Sequence, residues 1–151
     1  MSIPMREEGF GDGPYLLAAL LCQGTEATRS RVTALTGLFD TILVTDHGED
    51  APAEMQPFGR VFQLFVKFAS GWWRGRSQLM VSVVRPTYEV VGSQVIDLSF
   101  EGPEHATVQQ AITLELLFTE EGTHWIELRL DGRPLTRIPL RIRYRREVGA
   151  A

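Results

Sequence analysis

The chain is poor in the residues that most often carry chemistry. Cys22 is the only cysteine among 151 residues, so no intrachain disulfide and no cluster of thiolate ligands is possible. There are three histidines, His47, His105 and His124, and none stands in an H-E-x-x-H arrangement. No serine occupies a G-x-S-x-G elbow. Lys67 is the only lysine among fifteen basic residues, an arginine bias consistent with a GC-rich genome and given no mechanistic weight. Long apolar runs are missing too. The best candidate, Tyr15 to Cys22, is eight residues long, against roughly 20 for a membrane-spanning helix. Glu7, Glu8 and Asp12 outnumber Arg6 ahead of it, the wrong charge for a secretory leader, and Leu21 is bulkier than lipoprotein processing wants before a cysteine. The run therefore reads as a buried strand, with no membrane role and a cytoplasmic location expected.

No 20–50-residue repeat and no helical periodicity stand out. What is present is alternation. Ile126, Leu128 and Leu130 alternate with Trp125, Glu127 and Arg129, and Ile138, Leu140, Ile142 and Tyr144 alternate with Pro139, Arg141 and Arg143. Side chains along a strand point to opposite faces with period two, so each run has one apolar face. Asp131-Gly132 supplies the left-handed positions of a hairpin turn between them. The same alternation predicts strands over about 60–68 (Phe62, Leu64, Val66 and Phe68 on one face), 79–83, 95–100 and 108–118. A strand over 15–22 is followed by a turn-rich stretch over 24–30. Another strand is expected over 32–44, interrupted at Gly37, where a bulge or close backbone approach is expected. Residues 46–57 read as a polar loop.

Hydrophobic residues at 44% and charged residues at 23% are ordinary globular values, and the length suits one domain. The expected organisation is a loose arm over 1–14, a domain over 15–146 and a flexible tail over 147–151. Seven to nine strands separated by turns predict an all-β, single-domain, antiparallel two-sheet β-sandwich of immunoglobulin-like character. Net charge is −4, yet residues 129–151 hold seven arginines against two acids.

Four elements carry a resemblance: Ala18-Ala-Leu-Leu-Cys22, Gly37-Leu-Phe-Asp-Thr-Ile42, Gly122-Thr-His124 and Asp131-Gly132. In their order and spacing they resemble a bacterial domain-of-unknown-function family of small β-sandwich proteins, with an A-L-L-C, G-x-F-D-x-I, G-x-Y and D-G pattern. His124 stands where that pattern has tyrosine, and Trp72-Trp73 departs from it. The resemblance implies the fold and brings no activity with it.

Candidate chemistry is sparse. Asp40, Asp97 and Glu115 are carboxylates whose spacing selects no acid–base pair. Asp46-His-Gly-Glu-Asp50 with Glu54 gathers oxygen donors but matches no calcium-loop spacing, so a solvated acidic loop is the expectation. His124 is expected to make a structural bond to backbone, and Asp40 to satisfy amides near Gly37. No enzymatic activity, metal or cofactor is expected. Arg141, Arg143 and Arg145 form a stripe expected to be solvated or ion-paired, in part with Glu127. An acidic protein patch ranks next as its partner, and nucleic acid is disfavoured because the whole chain is acidic. Val61 and Phe65 lie on the second face of the 60–68 strand, and Trp72 and Trp73 follow in a glycine-flanked turn. One tryptophan is expected to pack and the other to be exposed. These residues suit a non-enzymatic interaction module that associates with itself or with another protein. The alternative is a small-ligand or carbohydrate site built on exposed tryptophans.

Overall fold

The computed structural model describes residues 11–29, 31–104 and 106–148. Nine strands and no helix are found among them: β1 (Tyr15–Thr28), β2 (Arg31–Leu38), β3 (Thr41–His47), β4 (Phe58–Ala69), β5 (Gly75–Val84), β6 (Val90–Phe100), β7 (Thr107–Phe118), β8 (Gly122–Leu130) and β9 (Arg133–Glu147). They form two sheets, in the orders β2-β1-β4-β7 and β3-β9-β8-β5-β6. The inward faces share one core, in which Leu64, Phe68, Leu79, Ile126, Leu140 and Ile142 are almost wholly shielded from solvent. Leu114, Ile126, Leu128 and Leu130 all face this interior, as their alternation predicts, with Leu116 packed at its margin.

The antiparallel expectation fails at one pair. β3 runs parallel to β9, from Thr41 opposite Arg141 to His47 opposite Glu147. The single strand expected over 32–44 is in fact two, β2 in the first sheet and β3 in the second. Gly37, with φ +65°, is the penultimate residue of β2, and a Cβ there would meet the Gln23 side chain at 3.0 Å. The chain then crosses between sheets, tied on both sides. The Phe39 amide donates to the Leu21 carbonyl (3.2 Å), and the Arg141 amide donates to the Asp40 carbonyl (2.9 Å).

Residues 24–28, expected to be turn, instead continue β1 and pair with β2 up to Thr28 opposite Arg31. The run Tyr15–Cys22 is also less buried than expected. Leu21 and Cys22 are shielded, but Leu17, at an irregularity in the β1–β4 register, and Leu20 are exposed. The 46–57 loop does not simply stand in solvent, because Ala51 and Met55 are buried and the Tyr144 hydroxyl donates to the Pro52 carbonyl (2.6 Å). The described end of the arm, residues 11–14, is docked rather than loose: the Asp12 carbonyl accepts from the Trp72 amide (2.8 Å) and the Gly11 carbonyl from the Tyr15 hydroxyl (2.8 Å).

Candidate interaction surface

Val61 and Phe65 share the outer face of β4 but have opposite surroundings. Val61 is 60% exposed and Phe65 only 7%. The cover over Phe65 is the β1–β2 hairpin. Thr107 and Gln109 of β7 stand in register with Ala69 and Lys67 of β4, so their side chains share the outer face with Phe65. Arg31 donates from Nη2 to Thr107 Oγ1 (2.8 Å), and the Val32 amide donates to Gln109 Oε1 (2.8 Å). β1 lies on the other side of β4, so the hairpin must cross the outer face of β4 to reach β7. Cys22, at the base of the hairpin and opposite Gln63 on that same face, is fully buried as well. The expectation that Phe65 contributes to an exposed surface is thus overturned: the chain covers it with its own hairpin.

Trp72 and Trp73 are 43% and 40% exposed, so the packing is shared between them rather than given to one. Their turn is rigidly held. The Ser70 amide donates to Ala106 O (2.8 Å), the Trp73 amide to Ser70 O (3.0 Å), and Arg74 Nη1 to Trp73 O (2.7 Å). Gly71 has φ +59°, and a Cβ there would lie 2.7 Å from the Asp12 carbonyl oxygen, so the arm can dock only against glycine. Val61 and this turn are separated by eight residues of extended strand, about 26 Å, with the covered Phe65 between them. They are not one patch.

The outer face of the second sheet carries the arginines. Glu127 lies between Arg129 (3.3 Å) and Arg137 (3.7 Å), and the Arg137 guanidinium stacks 3.9 Å above the Trp125 ring. Arg145 pairs with Glu147 (3.0 Å). Arg141 and Arg143 face Thr41 and Leu43 of β3, and neither makes an ion pair among the described residues. The expected neutralisation by Glu127 therefore reaches Arg137 and Arg129 and stops short of Arg141 and Arg143.

A further exposed apolar group was not anticipated. β6 is the last strand of its sheet, and Val90, Val91 and Val95 on it are exposed, Val95 to 52%. Met80 of β5, directly opposite Val95, is exposed as well, and Tyr88 precedes the strand at φ +68° and 75% exposure. The sequence did carry a signal for this. Ile96, Leu98 and Phe100 account for the inward face, which leaves Val95 and the Val90-Val91 doublet with no place in the core. A separate recess of about 270 Å³ opens at the end of the second sheet, lined by Pro14, Trp73, Ser77, Leu130, Asp131 and Arg133. The Ser77 hydroxyl is buried beside it without a hydrogen-bond partner.

Over residues 17–143 the sequence matches the family described as a family of unknown function (DUF6941). The chain belongs to that family. No curated protein matches it. Among solved structures, it is similar to the Pseudomonas fluorescens alkylpurine DNA glycosylase AlkC bound to DNA containing an abasic site analog, with 16% identity and a TM-score of 0.42. That match covers 69% of this chain and 28% of the glycosylase, so the chain spans under a third of that protein's length.

The residues that carried the family resemblance have structural roles here. Asp131 (φ +49°) and Gly132 (φ +81°) form the two-residue turn between β8 and β9, and Asp131 Oδ1 accepts from the Gln78 amide (2.9 Å). Asp40 accepts from the Thr41 hydroxyl (2.9 Å) through its side chain, and it is the Asp40 carbonyl that takes the Arg141 amide. Burial pushes the Cys22 thiol up from its ordinary value, with the Gly24 backbone opposing, so it stays a thiol and is a poor nucleophile. His124 packs edge-on against Phe118 (5.2 Å), and its Nδ1 lies 3.3 Å from the Gly122 carbonyl, the structural role expected of it. His47, the last residue of β3, pairs with Glu147 (3.1 Å), and no group of three potential metal ligands occurs among the described residues. His105 lies outside them. No helix of the described residues is long and apolar enough to cross a membrane.

Burial lowers the His124 pKa from its ordinary 6.5, opposed by the Gly122 carbonyl and Glu120 and assisted by Arg85. The unfolded chain therefore takes up this proton before the folded protein does. Stability from this site is intact above pH 6.5 and is lost as pH falls toward the lowered folded value. Denaturant midpoints measured from about pH 7.5 down to about pH 5.5 are expected to fall more steeply for wild type than for His124→Gln. Parallel curves would remove His124 as the source.

Proposed function

We propose that this protein is a non-enzymatic interaction module of the cytoplasm that binds a protein partner, its own copy included, through the exposed edge of its second sheet. The observation that carries this reading is the cluster of Tyr88, Val90, Val91, Val95 and Met80 at one sheet edge, where backbone groups are also left without a neighbouring strand. The state of the reactive groups supports it. Cys22 is fully buried, and His124 is buried and held toward its neutral form, so neither is placed to attack a bound substrate. We also read the two sheets as an immunoglobulin-like sandwich. The order β9-β8-β5-β6 parallels the G-F-C-C′ sheet of variable-type domains, and β1 would be an added strand in the opposite sheet.

The test is a photo-cross-linking amino acid at Val95, with a second at Leu43 on the opposite edge of the same sheet as the control, expressed in the source organism. Adducts that form from position 95 and not from 43 are expected. Equal yields, or none from either, would refute the edge as the working surface.

A second reading, a small hydroxylated ligand in the Trp73 recess, is favoured by the Trp73 ring, the unpartnered Ser77 hydroxyl and the guanidinium of Arg133 around one opening. It would show as a change in tryptophan fluorescence on titration with simple sugars that is lost in Trp73→Phe.

A further inference from the structure

We propose that the occupant of the β6 edge is β6 of a second copy, paired antiparallel about a two-fold axis so that the two five-stranded sheets become one continuous sheet. This rests on the interaction-module reading above and names its partner.

Three features point to a copy of the same strand. First, β6 is 11 residues long and ends its sheet, and it contains no proline or lysine and only one charged residue, Asp97. Natural edge strands are commonly blunted by such residues, and this one is not. Second, the outer face of β6 and β5 presents Val95 beside Met80, with Ser93 and Ser82 on one side and Asp97 and Gln78 on the other. Asp97 is the only charge on the strand and accepts from Gln78 Nε2 at 3.4 Å, so the edge carries no cluster of charge for a charged peptide to pair with. A neutral strand with a central apolar residue is what it fits, and the chain itself supplies one. Third, the pattern is self-complementary. With the axis at Val95, the Val95 side chains of the two copies meet directly, about 5 Å apart at Cβ. Each Asp97 then faces Ser93 of the second copy, so like charges do not oppose one another across the seam. Met80 flanks the central pair on both sides, giving an apolar row that crosses the interface. Every contact occurs twice, as a two-fold interface requires. Contact with β7 is slight, so the outer edge of β6 is open over most of its length.

The experiment is sedimentation of wild type, Val95→Lys and Val95→Asp over a series reaching several hundred micromolar, followed by the two variants mixed in equal amounts. Val95 is exposed, so both substitutions leave the core untouched, and an unchanged urea midpoint verifies this. Wild type is expected to dimerise. Each variant alone places like charges across the axis and should weaken association by about tenfold or more. Mixing them sets lysine against aspartate and should restore the dimer. A wild type that dimerises while Val95→Lys dimerises equally well would overturn the proposal and move association to another face. A wild type that stays monomeric throughout would overturn it as well. In that event the cross-linking at position 95 separates the two ideas: adducts to a different protein leave the interaction module standing with another partner, and no adducts remove both.

Discussion

Leu128→Ala lowers the stability of this protein by about 2–5 kcal/mol, the cost of lost burial plus the cavity left behind. Leu128 sits in the middle of β8, with β5 on one side and β9 on the other, opposite Val81 and Thr136. It is 1% exposed and belongs to the cluster that both sheets share. Neighbouring strands on both flanks hold the backbone in place, so the site is poorly able to collapse onto the missing atoms, and the upper half of the range is expected. Urea unfolding with a shared slope for wild type and variant measures the difference. A loss below about 1 kcal/mol would show that β8 does not face the core this way.

Phe65→Asp is expected to cost more than about 3 kcal/mol, whereas Val61→Asp on the same face of the same strand changes stability by no more than about 0.5 kcal/mol. The contrast follows from the hairpin. A carboxylate at position 65 is enclosed by the crossing β1–β2 hairpin, so it must give up most of its hydration there or must push the cover away. At position 61 the same carboxylate stays in water. Displacement of the hairpin has an independent readout, because Cys22, at its base on the same outer face, is fully buried in the folded protein. The thiol should resist a water-soluble alkylating reagent in wild type and in Val61→Asp, and react faster in Phe65→Asp under conditions where the variant is still folded. Similar costs for the two substitutions, or a Cys22 equally accessible in all three proteins, would show that the outer face of β4 is not covered.

The strands of the second half were legible because their information is local. Period-two alternation in 122–130 and 133–144 assigns an inward face to each strand, and Asp131-Gly132 determines how they join. Gly37 was legible as a close backbone approach, although the neighbour it approaches, Gln23, was not. His124 was legible as a structural residue, while its partner Gly122 came from the folded chain, and the acidic segment expected to stand in solvent proved partly buried, with its first two residues in β3.

The candidate surface was less legible. Alternation shows that Val61 and Phe65 point away from the core and that Val95 does too, but it is silent on what lies beyond the second face. Phe65 and Val95 have the same local signature, an apolar residue out of phase with its strand, yet one is sealed and the other is open.

By itself the sequence determined an all-β chain, most of its inward-facing residues, the hairpin at Asp131-Gly132 and membership in a family without an assigned activity, because each depends on residues close together along the chain. Tertiary structure alone decided that β3 runs parallel to β9, that the β1–β2 hairpin folds across β4 and seals Phe65, and that the open apolar edge belongs to β6. Those outcomes depend on pairings between segments tens of residues apart, where the free energy of closing one long loop rather than another leaves no periodic mark in the sequence.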